Sequence, residues 1–125
     1  MSATRILHIC PSHDRQEQLR KLVSDAGGLL VEGLEAYCSD TADPGTLRVK
    51  MAQPDAVIVS LDDSGQALTC LRFLTGLLND VVFIANGPEE PSLIIEAMRA
   101  GVRKYVPWNK PADLVDALAR IGRSA

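Results

Sequence analysis

The sequence predicts an α/β fold, a doubly wound, five-stranded parallel sheet with helices on both faces, and three observations carry that expectation. Short apolar runs alternate in strict order with stretches of helical spacing along the whole chain. The apolar runs are continuous rather than alternating in and out, which is the pattern of strands buried on both faces and joined by right-handed crossovers. A length of 125 residues suffices to bury a core without metal or disulfide staples, so residues 1–125 are expected to form one domain.

Residues 5–10 read as the first strand, stopping at Pro11-Ser12. In the helix that follows, Ser12 or His13 caps the start, Asp14 and Glu17 complement the dipole, Leu19, Leu22, Val23 and Ala26 recur at helical spacing, and Gly27 is the stop. Residues 29–34 are the second strand. Asp43-Pro44 reads as an N-cap followed by proline in the first turn of a short helix, which ends near Ala52 and packs through Leu47, Val49 and Met51. The third strand, residues 54–61, is β-branched and bounded by Pro54 and by Asp62-Asp63-Ser64-Gly65. Residues 66–78 form a helix striped with Leu68, Leu71, Leu74, Leu77 and Leu78, and residues 81–85 form the fourth strand, closed by Asn86-Gly87-Pro88. Residues 91–100 are a helix ended by Gly101, with Ile94, Ala97 and Met98 as its core stripe. Residues 103–106 are the last strand and residues 111–121 a terminal amphipathic helix.

Composition narrows the function. Thirteen Lys and Arg against sixteen Asp and Glu leave a net charge of −3, and aromatics make up only 4% of the chain. Direct nucleic-acid binding needs a basic face or stacking rings, so it is not expected. No apolar run approaches the length of about 20 residues that spans a bilayer, and residues 1–5 carry no signal-peptide pattern. A cytoplasmic location without membrane insertion is therefore expected. Cys10, Cys38 and Cys70 are an odd count at wide spacings, which fits reduced thiols.

In a parallel sheet of this kind ligands gather at the carboxyl ends of the strands. The residues to weigh are Cys10-Pro11-Ser12, Ser60-Leu61-Asp62-Asp63, Ala85-Asn86-Gly87 and Pro107-Trp108-Asn109-Lys110. No glycine-rich loop follows the first strand and no Lys-Ser/Thr phosphate loop occurs, which argues against a dinucleotide or triphosphate site.

The order of elements, the opening of the third strand in Pro54-Asp55-Ala56-Val57-Ile58-Val59, and the segment Ala97-Met98-Arg99-Ala100-Gly101-Val102-Arg103-Lys104-Tyr105-Val106 resemble a response-regulator receiver domain of the CheY-like superfamily. The resemblance covers nearly the whole chain and implies the flavodoxin-like (βα)5 architecture. In that family two acidic residues end the first strand and hold Mg²⁺. An Asp ends the third strand and accepts phosphate, a Thr or Ser ends the fourth, and a Lys ends the fifth.

Carried over by position, the acidic pair falls on Cys10 and Pro11, the phosphoacceptor on Ser60, the hydroxyl residue on Ala85 and the lysine on Trp108, while Tyr105 matches the switch aromatic. Cys10 and Pro11 cannot supply the oxygen ligands of a hard cation. The implied role is therefore that of a pseudo-receiver, a non-enzymatic interaction or localisation module that needs no cofactor. The alternative is a phosphorylatable receiver that uses Asp62 as acceptor, Lys110 as a displaced lysine and Mg²⁺. Strand geometry would leave Asp62 on the face of Ser60 but one pleat, about 6–7 Å, further out. The plainer reading of Asp62-Asp63 is a solvated turn and helix cap.

The Arg-Ala-Gly-Val-Arg segment, residues 99–103, makes the chain most similar to the N-terminal receiver-like domain of TadZ/CpaE pilus-assembly proteins. That resemblance implies a place in Tad-type pilus assembly, beside a MinD/ParA-like ATPase domain in the full-length protein.

Cys10 with His13 at a helix start is the outline of a nucleophilic pair. His8, Cys10 and His13 are a zinc-ligand trio without a fourth member. Cys38 and Cys70 read as buried or half-buried thiols. The fourth helix carries more apolar residues than one buried face needs, so Leu93 or Ile95 is left toward solvent. With Arg99, Tyr105 and Trp108, they outline an interface for a protein partner or a second copy on the fourth helix, fifth strand and fifth helix. Arg103, Lys104, Asp113 and Asp116 are the charges available for pairs across it.

Overall fold

The computed structural model describes residues 3–124 of the chain, and the side chains of residues 3–121. Ten elements alternate in order: β1 (Arg5–Ile9), α1 (His13–Asp25), β2 (Leu29–Leu34), α2 (Pro44–Ala52), β3 (Ala56–Ser60), α3 (Ser64–Leu77), β4 (Val82–Gly87), α4 (Pro91–Arg99), β5 (Lys104–Pro107) and α5 (Pro111–Ser124). All strand pairs are parallel and the sheet order is β2-β1-β3-β4-β5. The order reverses at β1, and the carboxyl ends of β1 and β3 lie side by side there.

Period-two alternation along the buried strands sorts their side chains into two layers. Leu7, Ile9, Val57, Val59, Phe83, Ala85 and Tyr105 pack against α2, α3 and α4. Ile6, Ala56, Ile58, Ile84 and Val106, with Cys10 just past β1, pack against Leu19 and Val23 of α1 and Leu114 and Leu118 of α5. The buried polar residues of the strands, His8, Ser60 and Asn86, have the parity of this second layer.

Two of the three N-terminal cap signals hold, those at Ser12 and Asp63, and the Asp43 side chain does not cap. Ser12 caps α1 through its side chain and Asp63 caps α3 by accepting from the Gln66 amide. Gly27 takes positive φ after the last turn of α1. Pro44 stands in the first turn of α2, but the Asp43 carboxylate accepts from the Ser39 amide instead of capping the helix.

Two packing expectations are corrected. Leu47 and Met51 do not pack in α2; they are 59% and 74% exposed, and Thr46 and Val49 are the buried pair. Leu47, Val49 and Met51 are spaced by two, which a helix spreads around its circumference, whereas Thr46 and Val49 at i, i+3 share a face. Met98 leaves the α4 core stripe at 48% exposure, while Ala97 is buried and Ile94 half-buried. No helix among the described residues is long and apolar enough to cross a membrane.

Candidate functional site

β1 and β3 deliver Cys10 and Ser60 to the carboxyl edge of the sheet, both fully buried. β3 ends at Ser60 and α3 starts at Ser64, so the intervening chain must turn. The turn overrides the pleat argument. Asp62 does not lie one pleat outside Ser60; its side chain folds back, and the Ser60 hydroxyl and the Cys10 thiol (3.7 Å) both donate to Oδ1. Arg15, one turn into α1, donates from Nε to Oδ2 at 3.2 Å. The residue as a whole is exposed, but its side chain is only 19% exposed and that of Arg15 25%. At that burial a charge-assisted hydrogen bond contributes about 1.5–3 kcal/mol. An open pair such as Arg48–Glu32, with Arg48 51% exposed, contributes at most about 1 kcal/mol.

The site has a roof and a strap. The Arg15 guanidinium stacks on the Trp108 ring, 3.7 Å from its centroid, an arrangement that fixes the cation over the pocket. The Tyr37 hydroxyl, in the loop after β2, donates to the Ser60 carbonyl and accepts from the Asp63 amide at 3.3 Å. Burial is the main cause that pushes Tyr37 up to about 12, so it stays a neutral donor. Burial likewise raises the Cys10 thiol, whose single proton is shared between Asp62 Oδ1 and the Ser12 carbonyl at 3.4 Å. A thiol held protonated and without exposed surface is a poor nucleophile, which removes the support for a Cys10–His13 pair. His13 is exposed at the start of α1 and His8 lies buried in the middle of β1, so the two do not meet Cys10 as a metal site. Among the described residues no three of His, Cys, Asp and Glu converge on a cation position.

The fourth-strand position is corrected by one residue. The strand partner in register with Ser60 is Asn86, while Ala85 faces the opposite layer between Val59 and Tyr105. The Asn86 amide donates to the Val106 carbonyl at 2.8 Å. Lys110 does not turn inward: its ammonium pairs with Glu89 across the rim at 3.3 Å, and Asn109 joins the same carboxylate. A Mg²⁺ ion does not fit these residues. Pro11 is exposed and has no side-chain donor, Cys10 keeps its proton, and the nearby carboxylate of Asp62 is spent on Arg15.

The outlined interface residues do not form one patch. Ile95 and Arg99 are exposed on α4 and Met98 joins them, but Leu93 is half-buried against the core. Tyr105 is buried and donates its hydroxyl to the Pro88 carbonyl. A Cβ at Gly87 would stand 2.7 Å from that hydroxyl, so glycine is what admits the ring. Trp108 lies on the other side of β5, beside Leu19 and Leu22 of α1 and Leu114 of α5. Cys38 and Cys70 are buried in the first layer, and the neighbouring Cys38 thiol, with burial, holds the proton on Cys70.

Arg15 and Tyr37 are the site residues that sequence reasoning passed over, and Asn86 stood among the strand-end residues to weigh while the fourth-strand role went to Ala85. Asn86 had a signal, since it follows the last strictly apolar residue of β4. Arg15 and Tyr37 had none, because each is tied to β3 by a contact that only the fold creates.

No protein-family model matches the chain, and no curated protein sequence does. Solved structures do match it. A pilus assembly-related protein from Burkholderia pseudomallei superposes with a TM-score of 0.77 at 23% identity, over 98% of this chain and 92% of that one. The pilus assembly protein CpaE from Burkholderia thailandensis superposes with a TM-score of 0.72 at 25% identity, over 95% and 98% of the two chains. The isolated REC domain of RcsB from Salmonella enterica serovar Typhimurium, solved with phosphomimetic BeF3-, superposes with a TM-score of 0.79 at 15% identity, over 98% and 90%. The chain therefore has the flavodoxin-like fold of CheY-like receiver domains, the fold these pilus-assembly proteins also share.

Proposed function

We propose that this chain is a pseudo-receiver, a signalling or localisation module that acts by binding another protein and not by accepting a phosphoryl group. The observation that carries this reading is the content of the pocket: Ser60 stands where a receiver places its aspartate, and the nearby carboxylate, Asp62, is engaged by Ser60, Cys10 and Arg15. Phosphoryl transfer to a carboxylate needs a free oxygen in line and divalent metal to neutralise the charge that develops. Here one carboxylate oxygen accepts two hydrogen bonds, the other faces a guanidinium, and Cys10 and Pro11 offer no oxygen ligands for a metal. The likeness to pilus-assembly proteins supports a place in Tad/Flp pilus assembly, in the cytoplasm, next to a MinD/ParA-like ATPase domain. The face offered to a partner or a second copy is α4, around Ile95, Met98 and Arg99.

The return of Asp62 toward Ser60 favours one second reading, a receiver phosphorylated at Asp62. A single experiment separates the two. Incubation with Mg²⁺ and acetyl phosphate, followed by intact-mass measurement, is expected to leave the mass unchanged. A stoichiometric phosphoryl adduct that disappears in Asp62→Asn would replace the first reading by the second.

A further inference from the structure

We propose that the cleft between α5 and the starts of β4 and β5 is a binding site for a small amphipathic carboxylate, an acyl chain of medium length that ends in one negative charge. The cleft encloses about 350 Å³, a size within the range of about 300–1,000 Å³ typical of small-molecule sites. Its apolar wall is Val82 and Ile84 of β4 with Ala117 and Ile121 of α5. The other lining residues are Arg103, Lys104 and Arg120, so every charge on the described lining is positive in a chain whose net charge is −3.

Lys104 is the residue that marks the cleft as more than a packing gap. It is in register with Ile84 and has the parity of Val106, so it occupies a strand position that faces α5, where the pattern of the layer calls for an apolar side chain. The residue is half-buried. Neither its ammonium nor the Arg103 guanidinium has an ion pair or a side-chain hydrogen bond among the described residues. Arg120 is engaged by Asp116, one turn earlier in α5, at 3.1 Å with the arginine 72% exposed, an open pair that yields readily to a competing anion. A cation drawn partly out of water without a counter-charge is unfavourable, and an incoming carboxylate offsets that cost. The wall of β4 and α5 side chains then covers the acyl chain, which a bare inorganic anion would leave unused. The cleft lies at the amino ends of β4 and β5, away from the Asp62 pocket at the carboxyl ends and on the opposite face of the sheet from α4. The inference therefore stands apart from the reading of that pocket.

The test is a titration of the isotope-labelled full chain with sodium octanoate at matched ionic strength, followed by backbone amide chemical shifts, which report affinity and place together. Octanoate is expected to give saturable shifts centred on residues 82–84, 103–104 and 117–121. Acetate carries the charge without the chain and octanamide the chain without the charge, and each is expected to bind about tenfold more weakly or worse. Lys104→Gln is expected to weaken octanoate by about tenfold and to leave octanamide unchanged. Arg103→Gln, at an exposed position, carries the same comparison if Lys104→Gln fails to fold. Shifts that do not saturate or that centre elsewhere, octanamide binding as tightly as octanoate, or a variant that binds octanoate like wild type overturns the proposal.

Discussion

The two layers flanking the sheet are built on different terms. The layer under α2, α3 and α4 is apolar almost throughout, with Leu71, Leu74 and Cys70 of α3 fully buried against Val57, Val59 and Phe83. The layer under α1 and α5 carries His8, Ser60 and Asn86 at buried strand positions and Cys10 beside them. A buried polar group costs free energy unless it is partnered. Ser60 and Asn86 are partnered, and both sit at the strand ends where the chain turns toward solvent. His8 is not: neither ring nitrogen has a hydrogen-bond partner in the structure. One layer holds the fold, and the other concentrates the groups that can respond to charge.

The largest effect that probes this contrast lies in the first layer. Leu74→Ala removes a side chain with no exposed surface, and is expected to lower unfolding free energy by about 3 kcal/mol in urea denaturation, with no change in the response to pH. A loss below about 1 kcal/mol would show that this layer yields around a cavity and is not the rigid one.

His8 tests the second layer. Burial, then the Arg20 guanidinium, lowers its pKa from the ordinary value, against a weaker pull upward from Glu17. The unfolded chain therefore takes up the proton first as pH falls through about 6.5, and stability drops from there toward the lower folded value. Above that window the imidazole is neutral in both states and the contribution is fully present. The slope is at most about 1.4 kcal/mol per pH unit, the limit for one proton. The low-pKa acids Glu32 and Glu89 titrate below the window. Thermal melts between pH 7.5 and 5 should show this slope in wild type and lose it in His8→Leu. An equal slope in both proteins would move the pH response to another group. Gly33 makes the position possible, since a Cβ there would stand 2.9 Å from the imidazole ring.

The same contrast explains what could be read in advance. β3 was legible because a β-branched run between Pro54 and an acidic turn has one plausible use, and α1 and α3 were legible at their starts because Ser12 and Asp63 are caps by local chemistry. These are contacts within a few residues. The candidate site failed where a single residue of register or a long-range contact decides. Moving from Ala85 to Asn86 reverses the face of the sheet. Asp62 was placed by extending β3, although the strand had already ended at Ser60. Its partner Arg15 is separated from it by 47 residues, and no spacing rule joins them.

The smallest stability effect is expected on the outer surface of the first layer, and it decides whether that layer also serves a partner. Ile95 is 51% exposed and Met98 48%, next to the ion pair of Glu96 with Arg72 at 3.0 Å. An exposed residue removed from no cavity changes folding free energy by less than about 0.5 kcal/mol, so Ile95→Arg should melt like wild type. If α4 is the face that meets a second copy, the charge must be buried in the contact, which costs far more than folding registers. Sedimentation velocity on the wild-type chain at high concentration is then expected to show a dimer, and on Ile95→Arg a monomer with an unchanged melt. A wild-type chain that stays monomeric, or a dimer that survives the substitution, removes α4 as the self-association surface. A melt lowered by several degrees would instead place Ile95 in the core and erase the distinction between the layer's inner and outer faces.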